Sequence, residues 1–154
     1  MKKIIAFLSV IIVLFIAIYA LTVYQQNKKL ANNPYPKDDL HPETIELFDD
    51  PNYQNLIMPD ELAASLENGG TETIYFFSPL CQYCREVTPI IVPLAEELGI
   101  DLKLFNTLEF PDEAKSYEIT GTPSLIHFEN GEEHTRFEGA GAEEEYREWF
   151  TSFQ

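Results

Sequence analysis

Residues 75–89 read Y-F-F-S-P-L-C-Q-Y-C-R-E-V-T-P, and they join an apolar run to a pair of cysteines. The segment from Thr73 to Ser78 is rich in aromatic and β-branched residues, which predicts a buried strand. The pattern from Cys81 to Leu98 predicts a helix, and Gly99 supplies its stop signal. The two cysteines are therefore expected where a buried strand gives way to the first turn of a helix.

Cys81 and Cys84 are the only cysteines in the sequence, so any thiol chemistry depends on this pair. A thiol attacks a disulfide as the thiolate, and an unassisted cysteine, with a pKa of about 8.5, is mostly protonated near neutral pH. The unpaired N–H groups and partial positive charge of a helix N-terminus favour the thiolate. We expect Cys81 to attack a substrate disulfide and Cys84, one turn later, to resolve the mixed disulfide.

Three other roles for the cysteine pair stay open at this level. A structural zinc site needs about four ligands, and the three histidines of the chain, His41, His127 and His134, are scattered. A structural disulfide across two residues closes a very small loop and adds little stability. The pair could also be two unreactive core cysteines at a strand–helix junction.

A second motif, Gly121-Thr122-Pro123-Ser124, precedes a predicted strand over Ser124–Glu129. A proline at the start of a strand, after Gly-Thr, is a candidate for a cis peptide bond. An ordinary trans proline at the entry to a strand is the alternative, and the spacing alone does not choose between them.

The other segments alternate between strand and helix patterns, which predicts an α/β fold whose mixed sheet has helices on both faces. The further strands are predicted over Asn55–Met58, Ile100–Asn106 and His134–Glu138, with a tight hairpin turn at Asn130-Gly131. The further helices are predicted over Asp60–Asn68, Pro111–Tyr117 and Glu143–Phe153. Two prolines inside the Cys81–Leu98 helix predict a kink near Arg85–Pro89, because proline has no N–H donor.

Residues 55–154 resemble the thioredoxin family. Residues 75–89 are similar to that family's strand, active-site dithiol and kinked helix, with Pro89 where the family has its kinking proline. Further motifs follow in the family's order: Gly121-Thr122-Pro123 is similar to its cis-proline loop, Phe128-Glu-Asn-Gly131 to its hairpin, and Gly139-Ala140 to the small residues of its substrate groove. The resemblance implies a thioredoxin-like three-layer fold with a mixed central sheet flanked by helices.

The resemblance also implies thiol–disulfide exchange on protein substrates, with Cys81 as nucleophile and Cys84 as resolving thiol. Pro123 would shape the groove, and Thr122 would offer its backbone N–H and C=O to an extended substrate segment. The other groove residues would be Phe77, Leu80, Tyr83, Gly139 and Ala140. No cofactor is implied, because the electrons pass through the cysteines, but a redox partner must reset the dithiol.

Two departures from the family pattern bear on the chemistry. The dipeptide Gln82-Tyr83 is neither the Gly-Pro of reductases nor the Pro-His of Dsb-type oxidases, so the direction of electron flow stays open. Tyr75 stands where the family has a buried Asp that accepts a proton from the resolving cysteine. Glu72 lies in the same strand entry without matching that position, and Lys103 aligns roughly with a family lysine near it.

The stretch from Ile4 to Tyr24 has 21 residues without a charge, and at about 1.5 Å per residue it would reach roughly 30 Å, the thickness of a bilayer core. We therefore expect residues 1–24 to be one transmembrane helix that anchors the chain. A cleaved signal peptide is the alternative, although its apolar core usually has about 7–15 residues. Residues 25–51, which hold four prolines, are expected to form an extended polar stalk, and residues 52–154 the thioredoxin-like domain.

Charge limits the partners of this protein. After the apolar stretch, residues 25–154 carry 8 Lys/Arg against 26 Asp/Glu, which excludes a nucleic-acid binder because phosphate contacts need clustered cations. We expect a monomer on the outer side of the cell membrane that exchanges disulfides with exported proteins. A non-enzymatic adaptor for an export system, using the same groove, is the alternative, and delivery of reducing equivalents for cytochrome assembly or metal handling would use the same site.

Overall fold

The computed structural model describes residues 2–30 and 33–154, without the side chains of residues 2–6, 8, 9 and 25–30. The chain divides into two compact units, one ending at Asp38 and the other comprising Asp39–Gln154. Each unit is treated by itself below, and the candidate site lies wholly within the second.

The first unit contains one long helix, α1 (Lys2–Leu30). Within residues 2–30 and 33–154, no helix combines the length and the apolar character needed to cross a bilayer. The predicted anchor covers residues 1–24, and of these Met1 and the side chains of residues 2–6, 8 and 9 lie outside the part of the chain that the structure describes.

Helical turns replace part of the chain that was expected to be extended. Helix α2 (Pro42–Glu46) is followed by two 3₁₀ turns, Leu47–Asp49 and Pro51–Tyr53. Two of the prolines that suggested a stalk occupy first-turn positions, where a fixed φ and a missing N–H are tolerated. Ile45 and Tyr53 are buried, so apolar contacts hold these turns within the second unit. The prediction of an extended chain is wrong for these turns.

A four-stranded mixed sheet forms the centre of the second unit. Its strands are β1 (Glu72–Phe77), β2 (Leu102–Asn106), β3 (Ser124–Glu129) and β4 (Glu132–Glu138), in the spatial order β2-β1-β3-β4. β1 runs parallel to β2 and antiparallel to β3, which is antiparallel to β4. The segment predicted as a first strand, Asn55–Met58, forms only an isolated parallel bridge between Leu56 and Leu104. The predicted mixed sheet is confirmed with four strands.

The helices that flank the sheet are α3 (Pro59–Glu67), α4 (Gln82–Glu97), α5 (Pro111–Lys115) and α6 (Glu143–Thr151). All four lie where the sequence predicts helices, and no end differs from the predicted one by more than two residues. The predicted α/β fold with flanking helices is confirmed, and the differences fall at helix ends, where local sequence signals are weakest.

The alternation of β1 accounts for its aromatic sequence. Tyr75 and Phe77 point into the core cluster that also contains the inner faces of α4 and α6. Phe76 points to the other face of the sheet, where its ring lies against Phe105 and Tyr117. Because both faces of β1 are covered, almost every side chain of the strand is buried, and the strand reads as a continuous apolar run.

Helix α4 orients the dithiol relative to this core. Its buried residues recur at helical spacing on one face, namely Cys84, Val87, Thr88, Ile91, Leu94 and Ala95. The helix runs through Pro89 and Pro93, whose missing N–H groups leave two carbonyls of the preceding turns without their usual donors. Cys84 faces the core because it begins this buried stripe, whereas Cys81 stands just before the helix.

Candidate active site

Cys81 is the N-cap residue of α4 and has an extended backbone, with φ −77° and ψ 116°. Its Sγ accepts a hydrogen bond from the backbone N–H of Cys84 at 3.2 Å, as an N-cap side chain does. Its thiol also donates to the backbone carbonyl of Thr122 at 3.1 Å. The sulfur of Cys81 therefore lies between the first turn of α4 and a loop that is 41 positions away in the sequence.

Cys84 lies one turn further along α4 and is fully buried, with 0% of its surface exposed. Cys81 is only partly buried, and both cysteines are free thiols. A protein substrate can thus reach Cys81 but not Cys84. This accessibility agrees with the attacking role predicted for Cys81 and the resolving role predicted for Cys84, and those roles stay predictions.

The pKa values of the two thiols are shifted in opposite directions. Burial is the largest influence on Cys81 and raises its pKa, but hydrogen bonds with Cys84 and Thr122 outweigh burial, so the pKa lies below that of a free thiol. Burial, together with the hydrogen bond to Cys81, raises the pKa of Cys84 to about 11. At neutral pH the thiolate therefore forms preferentially at Cys81, the accessible sulfur.

The loop opposite Cys81 is the one that the sequence singled out. The Thr122–Pro123 peptide bond is cis, and Pro123 is buried at the start of β3. The carbonyl of Pro123 accepts a hydrogen bond from the N–H of Gly139 at 2.9 Å. This bond brings Gly139 beside the loop, and the exposed Ala140 follows it in the chain. The structure thus brings Thr122, Pro123 and Gly139 to the same edge of the sheet as Cys81.

The remaining residues predicted for the groove differ in their exposure. Leu80 and Tyr83 flank Cys81 in the sequence, and 54% and 60% of their surfaces are exposed. Phe77 is fully buried, and its ring packs against Tyr53 and Tyr75 inside the core. The prediction that Phe77 lines the groove is therefore wrong, because the inward face of β1 is covered by α4.

Two residues near Cys84 escaped the sequence analysis. Thr88 Oγ1 donates to the carbonyl of Cys84 at 2.6 Å, and it is within 2.9 Å of the Tyr75 hydroxyl and 3.1 Å of the Tyr53 hydroxyl. The position of Thr88, four residues after Cys84, could have indicated the first contact, because residues i and i+4 share a helix face. No sequence signal pointed to Tyr53, which comes from a 3₁₀ turn.

Glu72 and Lys103 pair with each other rather than with the dithiol. Lys103 Nζ lies 2.7 Å from Glu72 Oε2, and Ser65 Oγ donates to the other carboxylate oxygen at 2.6 Å. Among the described residues, no three His, Cys, Asp or Glu side chains are grouped as a metal site would require. Tyr75 instead lies near Cys84, since its buried hydroxyl contacts Thr88 Oγ1, which donates to the Cys84 carbonyl.

Comparison with known proteins agrees with this geometry. The family model described as Thioredoxin matches residues 56–152, which is more than half of the chain. The chain belongs to the thioredoxin family. Its match therefore covers the sheet, the dithiol, the cis-proline loop and α6.

Individual thioredoxins are similar in sequence to this chain, with identities such as 30% and 34%. The chloroplastic thioredoxin M-type of Pisum sativum is 30% identical over 98 residues, which cover 62% of this chain and 52% of the relative. A thioredoxin of Chlamydia pneumoniae is 34% identical over 84 residues, covering 54% of this chain and 82% of the relative. The chain spans about half the length of several curated relatives that it matches, including further chloroplastic thioredoxins.

A solved structure shows the same fold. The crystal structure of mitochondrial thioredoxin 3 from Saccharomyces cerevisiae, in its oxidized form, superposes with a TM-score of 0.57 at 18% identity. The match covers 66% of this chain and 98% of the yeast chain. At this identity the likeness is evidence for the fold alone.

Proposed function

We propose that this thioredoxin-family protein is a thiol–disulfide oxidoreductase that acts on exported proteins while its N-terminal residues tether it to the cell membrane. The observation that supports the chemistry is that the two thiols differ in accessibility and in pKa. Cys81 is accessible and has a lowered pKa, whereas Cys84 is buried and has a raised pKa. Such a pair provides one sulfur that can attack a substrate disulfide and a second that can resolve the mixed disulfide.

The proposed exchange proceeds in two balanced steps. The Cys81 thiolate attacks one sulfur of a substrate disulfide, forming a mixed disulfide and expelling the other substrate sulfur as a thiolate. Cys84, as thiolate, then attacks the sulfur of Cys81, so that the Cys81–Cys84 bond forms and the bond to the substrate breaks. The substrate gains two electrons and two protons, and the dithiol loses both. The reverse sequence oxidises a substrate dithiol.

The groove around Cys81 suits an extended polypeptide. The loop at Thr122 and Pro123 presents backbone next to the reactive sulfur, and an extended segment can pair with backbone groups as an added strand. The side chains of Leu80 and Tyr83, close to Cys81 in the sequence, are exposed and provide apolar surface. We propose that protein substrates bind here and that a separate dithiol protein or membrane partner resets Cys81 and Cys84.

The proposed tether is supported by the sequence of the N-terminal residues. The 21 residues from Ile4 to Tyr24 contain no charge, and their length as a helix would match a bilayer core of roughly 30 Å. We propose a single-pass arrangement with the thioredoxin domain facing the extracytoplasmic side and acting as a monomer. The boundary at residue 24 belongs to this proposal, whereas the turns from Pro42 to Tyr53 are part of the second unit.

Trapping of the mixed disulfide tests the chemistry. Without Cys84 the mixed disulfide on Cys81 cannot resolve, so a Cys84→Ser variant should accumulate covalent adducts with other proteins in cells. The measurement is non-reducing electrophoresis, on which reductant-sensitive bands of higher mass should appear. The matched control is Cys81→Ser, which retains the buried thiol but should form none of these adducts.

The same experiment separates this proposal from the adaptor function. If the Cys84→Ser variant forms no adducts, and a variant without both thiols still retains a specific partner, the protein acts as an adaptor and its thiols are incidental. Adducts that depend on Cys81 exclude that outcome.

A further inference from the structure

Three hydroxyl groups form a buried cluster next to Cys84. They belong to Tyr75 of β1, Thr88 of α4 and Tyr53 of the 3₁₀ turn Pro51–Tyr53. Tyr75 and Thr88 are 0% exposed and Tyr53 is 7% exposed. Three buried hydroxyls from three elements need mutual hydrogen bonds, because an unpaired one would cost the free energy of its lost hydration.

The hydrogen-bonding capacity of Thr88 determines how the cluster is arranged. Its single proton is donated to the Cys84 carbonyl at 2.6 Å. Its lone pairs can therefore only accept, and both tyrosine hydroxyls lie within reach, Tyr75 at 2.9 Å and Tyr53 at 3.1 Å. While Cys84 is a thiol, the O–H of Tyr75 is thus directed at Thr88, and its oxygen is left to pair with the Cys84 sulfur.

Tyr75 and Cys84 are both fully buried in one core cluster, and Thr88 Oγ1 links them, since it lies 2.9 Å from the Tyr75 hydroxyl and 2.6 Å from the Cys84 carbonyl. The Tyr75 hydroxyl is thus close enough to the Cys84 side chain for a hydrogen bond between them to lower the pKa of Cys84. A hydroxyl can rotate about its C–O bond, so the same group can accept from a thiol and donate to a thiolate. Donation to the charged form is the stronger interaction, since hydrogen bonds to ionised groups are roughly twice as strong as neutral ones. The geometry therefore allows Tyr75 to favour the ionised state of Cys84 at the moment of attack.

The groups around Cys84 supply few other means of stabilising an anion. Burial and the hydrogen bond with Cys81 raise its pKa, whereas hydrogen bonds with Ser78, Thr122 and Tyr75 lower it. The charge of Cys84 raises the pKa values of Tyr53 and Tyr146, and the charges of Asp50 and Arg85 also act on Tyr53. No carboxylate is among the largest influences on Cys84, so hydrogen-bond donors have to perform this task.

We propose that Tyr75 is a further catalytic residue, which donates its hydroxyl proton as a hydrogen bond to the Cys84 thiolate in the resolving step, and that Thr88 and Tyr53 position it. This inference rests on the proposed function, since it concerns the second half of the same exchange. In that step the Cys84–Cys81 bond forms and the Cys81–substrate bond breaks. The proton that Cys84 loses balances the one that the departing substrate sulfur takes up, and Tyr75 keeps its own.

The test isolates the resolving step. Cys81 first reacts with an aromatic disulfide, which leaves one aromatic thiol bound to Cys81 as a mixed disulfide. Attack by Cys84 then releases this thiol as a coloured thiolate, and the release is followed in the full-length protein at several pH values. In a Tyr75→Phe variant the Cys84 thiolate should be about tenfold less populated. The thiolate that does form is more basic and therefore more nucleophilic, which should recover about threefold of the rate. We therefore expect release roughly threefold slower at neutral pH, with the pH dependence displaced to higher pH.

A matched control distinguishes a chemical role from a structural one. Tyr146 is also fully buried in this core, but its hydroxyl accepts from the N–H of Gly141 at 2.9 Å and donates to the carbonyl of Gly139 at 3.4 Å. Tyr146→Phe removes a buried hydroxyl and should destabilise the fold comparably without displacing the pH dependence of release. Tyr75→Phe should also leave the first reaction of Cys81 with the reagent unchanged.

Two outcomes would overturn the inference, and a third concerns the function itself. If folded Tyr75→Phe releases the coloured thiolate as fast as the unaltered protein, Tyr75 has no role in resolution. If Tyr75→Phe does not fold, Thr88→Val takes its place, and an unchanged rate in that variant is equally decisive. If the unaltered protein shows no release at all, the proposed exchange fails, irrespective of Tyr75.

Discussion

At the scale of single residues, the two cysteines have the same side chain but different pKa values, because they occupy different positions on the helix. Both are thiols at the same end of α4, three residues apart. Cys81 precedes the helix and accepts the N–H of Cys84, while Cys84 begins the buried face of the helix. The first position favours a negative charge and the second disfavours it, so the lowered pKa of Cys81 and the raised pKa of Cys84 follow from one helical turn.

The pH dependence of alkylation tests this difference. In the reduced protein we expect the rate of reaction of Cys81 with iodoacetamide to reach half of its maximum at a lower pH than that of a free thiol, because a lowered pKa populates the thiolate at lower pH. Cys84 should remain unmodified over the same range, since it is buried and its pKa lies near 11. Peptide mass spectrometry measures both sites.

The control for this measurement is the same chain unfolded in urea, in which both thiols should react alike with an ordinary midpoint. A midpoint for Cys81 that is equal to or above the unfolded value would contradict the lowered pKa.

At the scale of elements, the β3–β4 hairpin depends on its glycine. Asn130 and Gly131 both have positive φ, 54° and 81°, as the tight turn predicted from Asn-Gly requires. The N–H of Gly131 donates to the carbonyl of Gly70 at 2.9 Å. A Cβ on Gly131 would collide with the carbonyl oxygen of Leu66 at the end of α3. The hairpin therefore packs directly on the backbone that follows α3.

Gly131→Ala should destabilise the protein by about 2–4 kcal/mol, from the left-handed backbone and the collision together. Gly99 is the matched control, because its φ of 72° is similar and a Cβ there would meet nothing within 4 Å. Gly99→Ala should cost only about 1 kcal/mol. Urea unfolding of both variants measures the loss in the free energy of unfolding. Equal losses would show that the close approach of Gly131 to α3 does not contribute to the cost of the substitution.

At the scale of the whole molecule, two compact units follow one another along the chain, and the chemistry resides in the second. The full sequence carries 26 Asp/Glu against 10 Lys/Arg, and a net charge this far from zero favours solubility. The uncharged residues Ile4 to Tyr24 precede it. The proposed arrangement is a soluble redox domain held near the membrane through which its substrates are exported.

Fractionation of cells tests the location. We expect the full chain to sediment with membranes, to resist alkaline extraction, and to lose its domain when protease is added to intact cells. A variant that begins at Gln25 should be soluble, because it lacks the apolar residues. Full-length protein in the soluble cytoplasmic fraction would contradict the tether, and a shortened, soluble form outside the cell would indicate a cleaved signal peptide instead.

Much of the fold was predictable because its signals are local. The aromatic run of β1, the glycine that ends α4 and the Asn-Gly turn each act through neighbouring residues. The same local reasoning failed at residues 42–51, the end of the predicted stalk. There, the prolines suggested an extended chain, but Ile45 and Tyr53 gain enough from burial in the second unit to favour helical turns.

The sequence by itself determined that two thiols lie where a buried strand meets a helix, and that a Gly-Thr-Pro motif precedes a later strand. Only the tertiary structure decided that the Thr122 carbonyl meets the Cys81 sulfur, that Phe77 is sealed in the core, and that the hydroxyl cluster lies next to Cys84. The physical reason is distance along the chain. Backbone preferences and periodicity act over a few residues, whereas the register of the sheet and the packing of α4 on it bring together groups that are 35 or 41 positions apart.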